Sequence, residues 1–315
     1  MGKPFFDLTS EQGVLRLSIA VTLFIAVIGI AFGLASGSFS IVFDGVYSLV
    51  DASMSGLSLV VVKLITSHAR AERMSRKLRE RFTMGFWHLE PMVLALNGIL
   101  LTGVALYALI NAASSLLEGG RDLEFGVALV YAVVTVSACL AIAIAEARAN
   151  RKIGSDFVRM DVKGWVMSAS ITAALLVAFC VGYLVQGTQW AWISPYIDPA
   201  VLALVCLVII PLPMSVVRQA LSEMFLVTPS DLKQHVDDVA QTFVAQHGLQ
   251  SYRAYVAKVG RSREIELYFI VPATMAARTI AEWDALRDEI GNAIGGEGPD
   301  RWLTVVFTGD PEWAE

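Results

Sequence analysis

The sequence carries little charge for its length. Only 17% of its 315 residues are Asp, Glu, Lys or Arg, whereas 56% are hydrophobic. A soluble protein of ordinary composition has about 25% charged residues, and the mean hydropathy of this chain is +0.61. The composition therefore excludes a typical soluble protein over most of the chain and predicts a polytopic helical membrane protein.

Cysteine and histidine are also scarce, with three and four residues respectively. The three cysteines, Cys139, Cys180 and Cys206, lie in apolar runs, and their spacing fits neither a disulfide framework nor a zinc motif. The histidines are scattered and are predicted to be surface side chains rather than a metal cluster: His68, His88, His235 and His247. No nucleophile–base set or phosphate-binding loop suggests an enzyme, and scattered basic residues with an acidic tail argue against nucleic-acid binding.

What the chain has in abundance is long apolar runs. Each is long enough to cross a bilayer as a helix. Two tryptophans, Trp190 and Trp192, precede the last run, as is typical of an interfacial aromatic belt. The six predicted spans cover about 13–34, 39–65, 89–116, a fourth run that ends near Ala147, 157–185 and 198–217.

Most of the positive charge between the predicted spans lies in two connections, and its position predicts the orientation of the chain in the membrane. The connection after the second span and the end of the fourth span hold almost all of it: Arg70, Arg73, Arg76, Lys77, Arg79, Arg81, Arg148, Arg151 and Lys152. The other three connections contain only Arg121. Because basic loops stay in the cytoplasm, we expect both termini to be cytoplasmic and the chain to lie in the cell (inner) membrane.

The composition changes after Pro229, where periodic apolar patterns return at lower hydropathy. The patterns predict a helix over 231–247 that ends at Gly248, strands over 252–259 and 264–271, a helix over 277–294 and a strand over 302–307. This order predicts a small α+β domain (α-β-β-α-β) on the cytoplasmic side. We therefore divide the chain into a six-helix transmembrane transport domain, 1–226, and a cytoplasmic dimerisation domain, 227–315.

Carboxylates inside the predicted spans are the candidate functional residues. Asp44, Tyr47, Ser48 and Asp51 form one polar stripe on the second span, and the fifth span carries Asp161. A charged side chain within the bilayer costs about 2.5–3.5 kcal/mol on insertion scales. Carboxylates on two helices suit a small hard cation or a proton, so the pattern predicts a site that exchanges a divalent cation for protons.

The remaining ionisable groups are expected to have structural roles. Solvated helix ends are predicted for Asp156, Arg159, Lys163, Glu146 and Asp198. Glu90 is expected to organise the start of the third span or to pair with an arginine of the preceding basic loop. Met54 and Met160, which lie near the predicted site, are expected to pack rather than to bind metal.

Three segments resemble the cation diffusion facilitator family of divalent metal/proton antiporters. They are SFSIVFDGVYSLVDASMS in the second span, FTMGFWHLEP at Phe82–Pro91 and the final Gly309-Asp310-Pro311. The six spans with cytoplasmic termini and the α-β-β-α-β tail fit the same family. The resemblance implies a homodimeric exporter of a divalent metal cation, held together through its transmembrane and C-terminal domains in the lipid bilayer, with no permanently bound cofactor.

The resemblance also implies a ligand set, from which this sequence departs. Family members use a pair of ligands four residues apart in the second span and another in the fifth. Asp51 matches, with Asp44 at an acidic position often seen before the pair, but Tyr47 stands where a His or Asp ligand is usual. Asp161 pairs by position with either Phe157 or Trp165, so the fifth span supplies one carboxylate.

The resulting oxygen-rich set favours Mn²⁺, Fe²⁺ or Mg²⁺ over Zn²⁺. Two alternatives remain open from the sequence. The incomplete ligand set also fits a non-transporting partner or scaffold protein that keeps the family fold, and the chain also fits a transporter of another cation.

Overall fold

The structure is a computed structural model that describes residues 11–69, 80, 82, 85–153, 156–298 and 300–315. The arginines and lysine of the first basic connection, Arg70 to Arg81, lie outside the described residues, as do the side chains of His68, Asp156, Phe157 and Met160. The chain forms two compact units, one of residues 1–57 with 96–216 and the other of 58–95 with 217–315. The proposed boundary at 226/227 remains a prediction.

The described residues contain six helical stretches that are long and apolar enough to cross a membrane, as predicted. The first five are single helices: α1 Glu11–Ser36, α2 Phe39–Ala69, α3 Leu89–Leu117, α4 Phe125–Ile153 and α5 Asp156–Val185. Many of their large apolar side chains are exposed, for example Phe24 at 65% and Leu184 at 73%. Such a surface is stable only in a bilayer or against another apolar surface.

The sixth stretch is two helices rather than one. Helix α6 covers Ser194–Ile209 after a short 3₁₀ turn, Ala191–Ile193, and α7 covers Met214–Met224. The residues between them form a turn that contains Pro211 and Pro213. Because proline lacks a backbone N–H and clashes with the preceding turn of a helix, the predicted uninterrupted span ends early.

Helix α2 is central in the first unit, because two apolar clusters meet on it. One joins α2 to α4 and α5 through Ile41, Leu123, Phe125, Ala128, Tyr131, Ala132, Leu175 and Phe179. The other joins α2 to α3 and α6 through Phe43, Ala105, Ala108, Ala112, Leu202, Cys206 and Ile209. The acidic stripe therefore lies on a helix that packs against α3, α4, α5 and α6 through these two clusters.

Close approach between α1 and α2 depends on three glycines. A Cβ at Gly45 would lie 2.8 Å from the carbonyl oxygen of Ala26, and one at Gly33 would lie 2.6 Å from the backbone nitrogen of Val42. A Cβ at Gly29 would meet the hydroxyl of Tyr131 at 2.8 Å. Small residues at such crossings allow backbones to pack closely in membranes, and here they bring α1, α2 and α4 together.

The tail has the predicted α-β-β-α-β order. Helix α8 covers Ser230–His247, β1 Ser251–Val259, β2 Ser262–Ile270, α9 Ile280–Ile294 and β3 Arg301–Thr308, before a short 3₁₀ turn, Pro311–Ala314. Gly248 ends α8 in the left-handed conformation, with φ 65°, which glycine adopts without a Cβ penalty. Strands β1 and β2 are antiparallel and β3 pairs parallel to β2, with α8 and α9 packed over the sheet.

The turn between β1 and β2 anchors two acidic side chains within the second unit. The backbone N–H of Gly260 donates to Glu223 at 3.0 Å, and Lys258 pairs with Glu223 at 3.3 Å. Arg261 pairs with Glu90 at 3.3 Å. Glu90 lies in the first turn of α3, and its partner among the described residues is Arg261 of the β1–β2 turn. The alternative pairing with an arginine of the basic loop falls outside the described residues and stays a prediction.

Candidate metal centre

Asp51 and Asp161, the two carboxylates predicted as ligands, lie within electrostatic range of each other in the folded chain. Asp51 lies on α2, where it is exposed in the single chain, and its charge interacts with that of Asp161 on α5. Asn97 of α3 is a hydrogen-bonding neighbour of Asp51. Three helices thus bring oxygen-bearing side chains to one place.

The surroundings of Asp161 extend the group to α4 and α1. Its polar neighbours are Ser18 of α1 and Glu146 of α4. Trp165, one turn further along α5, donates its indole N–H to the Ser18 hydroxyl at 2.9 Å. Trp165 therefore orients the serine and offers no ligand at the position four residues after Asp161.

Glu146 corrects the expectation of a solvated helix end. Its side chain is 1% exposed, and it lies beside Asp161, Ser18 and Trp165. The reason is the packing of α1, α4 and α5, since Ala143 and Cys139 of α4 are buried against Trp165 and Ala169 of α5 in the same layer. Glu146 faces this layer rather than the solvent.

Several buried oxygens of this group lack hydrogen bonds from the described residues. They are both carboxylate oxygens of Glu146, Oδ2 of Asp161 and Oδ1 of Asn97. All of them are acceptors, and the described groups that act on Glu146 are Asp161, Ser18 and Trp165, none of which is a cation. A buried carboxylate without a partner is costly, so the arrangement calls for protons or a cation among these oxygens.

Asp44 lies at a separate point of the α2 stripe. Its Oδ2 accepts a hydrogen bond of 2.9 Å from the Tyr131 hydroxyl of α4. It also lines a small cavity, with room for water of about 60 Å³, together with Tyr47, Ser48, Met167 and Ser168. Tyr47 packs on Phe43, with ring centroids 5.5 Å apart. Asp44 and Tyr47 thus border a small, mostly apolar cavity between α2, α5 and α6.

Asp198 is a second correction, because it too was expected at a solvated helix end and is 2% exposed. Its carboxylate accepts hydrogen bonds from the Ser38 hydroxyl at 2.6 Å and from the backbone N–H of Phe39 at 3.0 Å. The Ser40 hydroxyl donates to its carbonyl oxygen at 3.0 Å. Asp198 therefore joins the start of α6 to the α1–α2 turn and is a structural residue.

Within the part of the chain that the structure describes, no group of three or more His, Cys, Asp or Glu side chains converges to hold an ion. The His235 ring contacts the carbonyl oxygen of Ile294 at 3.1 Å, and that of His247 contacts Glu289 at 3.0 Å. His88 is exposed. The three cysteines are free thiols, and Cys139 and Cys206 are buried.

These features define a class. Six apolar helical stretches make the chain a multi-pass membrane protein, and carboxylates inside such helices mark an ion pathway. The comparison with protein families agrees: residues 15–225 match the cation efflux transmembrane domain. The chain belongs to the cation efflux family, also called the cation diffusion facilitators, whose members transport divalent metal cations, and metal cation efflux is its function.

Two curated relatives match over 240 residues. They are the metal cation efflux system protein CzcD of Cupriavidus metallidurans and the cation efflux system protein CzcD of an Alcaligenes species. Each is 20% identical over a stretch that covers 76% of this chain and 69% of the relative. The family assignment rests on the match of residues 15–225 to the cation efflux transmembrane domain, and these relatives agree with it.

The sequence pointed to Asp51, Asp161, Asp44 and Tyr47, and their role in binding metal remains a prediction. The structure places Asp51 with Asp161 and sets Asp44 apart beside Tyr131. Sequence reasoning missed Glu146, Asn97 and Ser18. A signal existed for Glu146, because the periodicity of α4 puts it in line with Ala143 and Cys139 on the buried face.

Proposed function

We propose that this protein exports a divalent metal cation from the cytoplasm in exchange for protons. The carrying observation is that Asp51 of α2 and Asp161 of α5 interact with each other in a chain of the cation efflux family. Carboxylates on separate helices can hold a hard cation, and protonation of the same groups releases it. Asp51 and Asp161 are the ligands in this proposal, and Asp44 with Tyr47 borders the adjacent cavity.

The orientation follows from the basic residues. Arg148, Arg151 and Lys152 lie at or near the end of α4, and the connection after α2 is basic as well. By the positive-inside rule these ends are cytoplasmic, as are both termini. The protein then belongs to the inner membrane of the cell and moves the metal outward.

The chemistry of the ligands indicates the metal. Asp51, Asp161 and Asn97 offer oxygen, and within the described residues no histidine or cysteine joins them. Such sets favour Mn²⁺, Fe²⁺ or Mg²⁺, whereas Zn²⁺ binds best to nitrogen and sulfur. Replacing Tyr47 by His adds a nitrogen four residues before Asp51, and we expect Tyr47→His to raise zinc transport relative to manganese transport.

A homodimer is the proposed working form. Support comes from large apolar side chains that the tail leaves exposed: Ile280 at 79%, Trp302 at 48% and Trp313 at 74%. Trp302 lies on β3, which is an edge strand, and edge strands present unpaired backbone groups to a partner. Mass photometry of the purified protein tests this. Trp302→Ser should weaken the dimer and Trp190→Ser should not, and a monomeric wild type would contradict it.

Proteoliposomes test the transport proposal. The purified protein is reconstituted with a pH gradient and a metal-sensitive dye, and Mn²⁺, Fe²⁺, Mg²⁺ and Zn²⁺ are compared. We expect gradient-dependent movement of at least one metal and its loss in Asp51→Asn and Asp161→Asn. If the wild type moves none of the four metals, the proposal fails. The alternatives are then a non-transporting scaffold, which Tyr47 and the missing second ligand of the fifth span favour, and a transporter of another cation.

A further inference from the structure

Glu146 is a buried acid for which neither the family pattern nor the proposed function has a role. It is 1% exposed, and neither of its carboxylate oxygens receives a hydrogen bond from the described residues. By contrast, Asp198, which is as deeply buried, accepts two. A group that is both buried and unsatisfied marks a ligand site, a proton site or strain.

The position of Glu146 relates it to the metal centre. It lies next to Asp161, and the charges of the two carboxylates oppose each other. Asp161 in turn interacts with Asp51, so a line of carboxylates runs from the exposed Asp51 to the buried Glu146. Among the described residues, the groups that act on Glu146 include no cation, and neighbouring carboxylates repel each other unless protons or a positive ion lie between them.

The fifth span supplies one carboxylate, Asp161, where the resemblance implies two ligands, and Glu146 lies next to Asp161. The residue four after Asp161 is Trp165, whose N–H is directed to Ser18. Trp165 also neighbours Glu146. The carboxylate of α4 therefore lies beside Trp165, one of the two positions, with Phe157, at which the resemblance implies a second ligand from α5.

We propose that Glu146 is a ligand of the transported divalent cation and, together with Asp161, forms the inner part of its site. This proposal rests on the proposed function and deepens it. Two carboxylates that each contribute oxygen, with the Ser18 hydroxyl as a neutral neighbour, leave the remaining positions of the ion to water. That set suits Mn²⁺ or Mg²⁺, which keep several water ligands.

The experiment measures metal binding and transport in parallel. Wild type, Glu146→Gln and the control Glu124→Gln are purified as full-length protein, and Mn²⁺ alone is titrated while the free Mn²⁺ signal is followed by electron paramagnetic resonance. Zn²⁺ is titrated separately by calorimetry. Glu124 precedes α4 and is exposed, so its variant removes the same charge outside the site.

We expect Glu146→Gln to bind Mn²⁺ at least about tenfold more weakly than wild type, since even outer-shell changes at metal sites cost 10–100-fold. Mn²⁺ transport should fall in parallel, and Glu124→Gln should match wild type. If Glu146→Gln does not fold, Glu146→Asp replaces it. This variant keeps the charge but shortens the reach, and it should weaken binding by a smaller factor.

The outcomes separate this inference from the proposed function. If the wild type moves no metal, the proposed function fails. If the wild type binds and moves Mn²⁺ but Glu146→Gln, or Glu146→Asp where it is used, binds as tightly as wild type, the proposed function stands and the role of Glu146 is overturned. Unchanged binding with a shifted pH dependence of transport would assign a proton, rather than the metal, to Glu146.

Discussion

Helices α4 and α6 each carry one buried acid near an end, and the two acids differ in the hydrogen bonds that they accept. Asp198, at the start of α6, is 2% exposed, and the α1–α2 turn gives its carboxylate two hydrogen bonds. Glu146, near the end of α4, is 1% exposed and receives none from the described residues. A satisfied buried carboxylate holds structure together, whereas an unsatisfied one costs stability and is retained for another reason. Burial alone therefore does not distinguish a structural acid from a functional one.

The largest expected effect is on metal transport, and it tests whether the acidic group that contains Glu146 and Asp161 is functional. Asp161→Asn keeps the size of the side chain but removes the charge that faces Asp51 and Glu146. We expect metal transport in proteoliposomes to fall at least about 100-fold, more than outer-shell changes cause, while the melting temperature stays close to that of wild type. Transport at the wild-type rate would remove Asp161 from the site. Glu124→Gln is the control.

The contrast between Asp198 and Glu146 also predicts that substituting the two acids affects stability differently. Asp198→Ala leaves the Ser38 hydroxyl and the Phe39 N–H without their acceptor, and hydrogen bonds to charged groups contribute about 1.5–3 kcal/mol each. We expect a loss of about 3 kcal/mol of stability, and a melting temperature lower by about 6 °C or more, measured by tryptophan fluorescence. Glu146→Gln removes a buried carboxylate whose oxygens have no hydrogen-bond partner among the described residues, so it should not lower the melting temperature.

Equal destabilisation by Asp198→Ala and Glu146→Gln would break the comparison, since it would mean that Glu146 is a structural residue. An unchanged melting temperature in Asp198→Ala would contradict the structural role assigned to Asp198.

Asp44 is intermediate between Asp198 and Glu146 in the number of hydrogen bonds that its carboxylate accepts, with one from Tyr131 at 2.9 Å. Tyr131→Phe removes that donor and leaves the carboxylate within its cavity. We expect a loss of about 1 kcal/mol, between the effects at Asp198 and Glu146, measured as a lower melting temperature. Tyr107→Phe, which changes an exposed tyrosine of α3, is the matched control. A loss no larger than the control's would show that the bond contributes nothing.

The smallest effect concerns an exposed acid of the tail, Glu282. Thr279 and Glu282 form a capping box at the start of α9, and the backbone N–H of Thr279, which donates to Glu282, lowers the pKa of that carboxylate. Because its folded pKa is below its unfolded one, the stabilisation is complete above the ordinary value of about 4.3. It is lost as the pH falls through the folded pKa.

Thr279→Ala should therefore loosen the first turn of α9 at neutral pH. We expect amide exchange there to be about fivefold faster, since losing a cap costs about 1 kcal/mol. The variant keeps the backbone N–H that donates to Glu282, so its difference from wild type should persist when the pH falls below the folded pKa of Glu282. Thr242→Ala, an exposed threonine inside α8, serves as control. Equal exchange in both variants at neutral pH would mean that the box does not stabilise the helix.

The sequence by itself determined the elements. The six apolar stretches and the α-β-β-α-β order follow from local patterns of hydropathy, and Gly248 ends α8 because glycine adopts the left-handed conformation that the end of this helix requires. The motif around Asp51 was enough to indicate the family. The break at Pro211 was readable as well, since proline interrupts a helix by local chemistry.

Only the tertiary structure decided which acids have partners. Glu146 and Asp198 look alike in the sequence, as acids at the ends of apolar runs, yet Ser38 reaches Asp198 across 160 residues of chain. Trp165 likewise reaches Ser18 across 147 residues and leaves Glu146 unsatisfied beside Asp161. Helical periodicity is a local property and indicates only which residues lie on the same face of one helix. Partners depend on how α1, α4 and α5 pack, and that is a property of the whole fold.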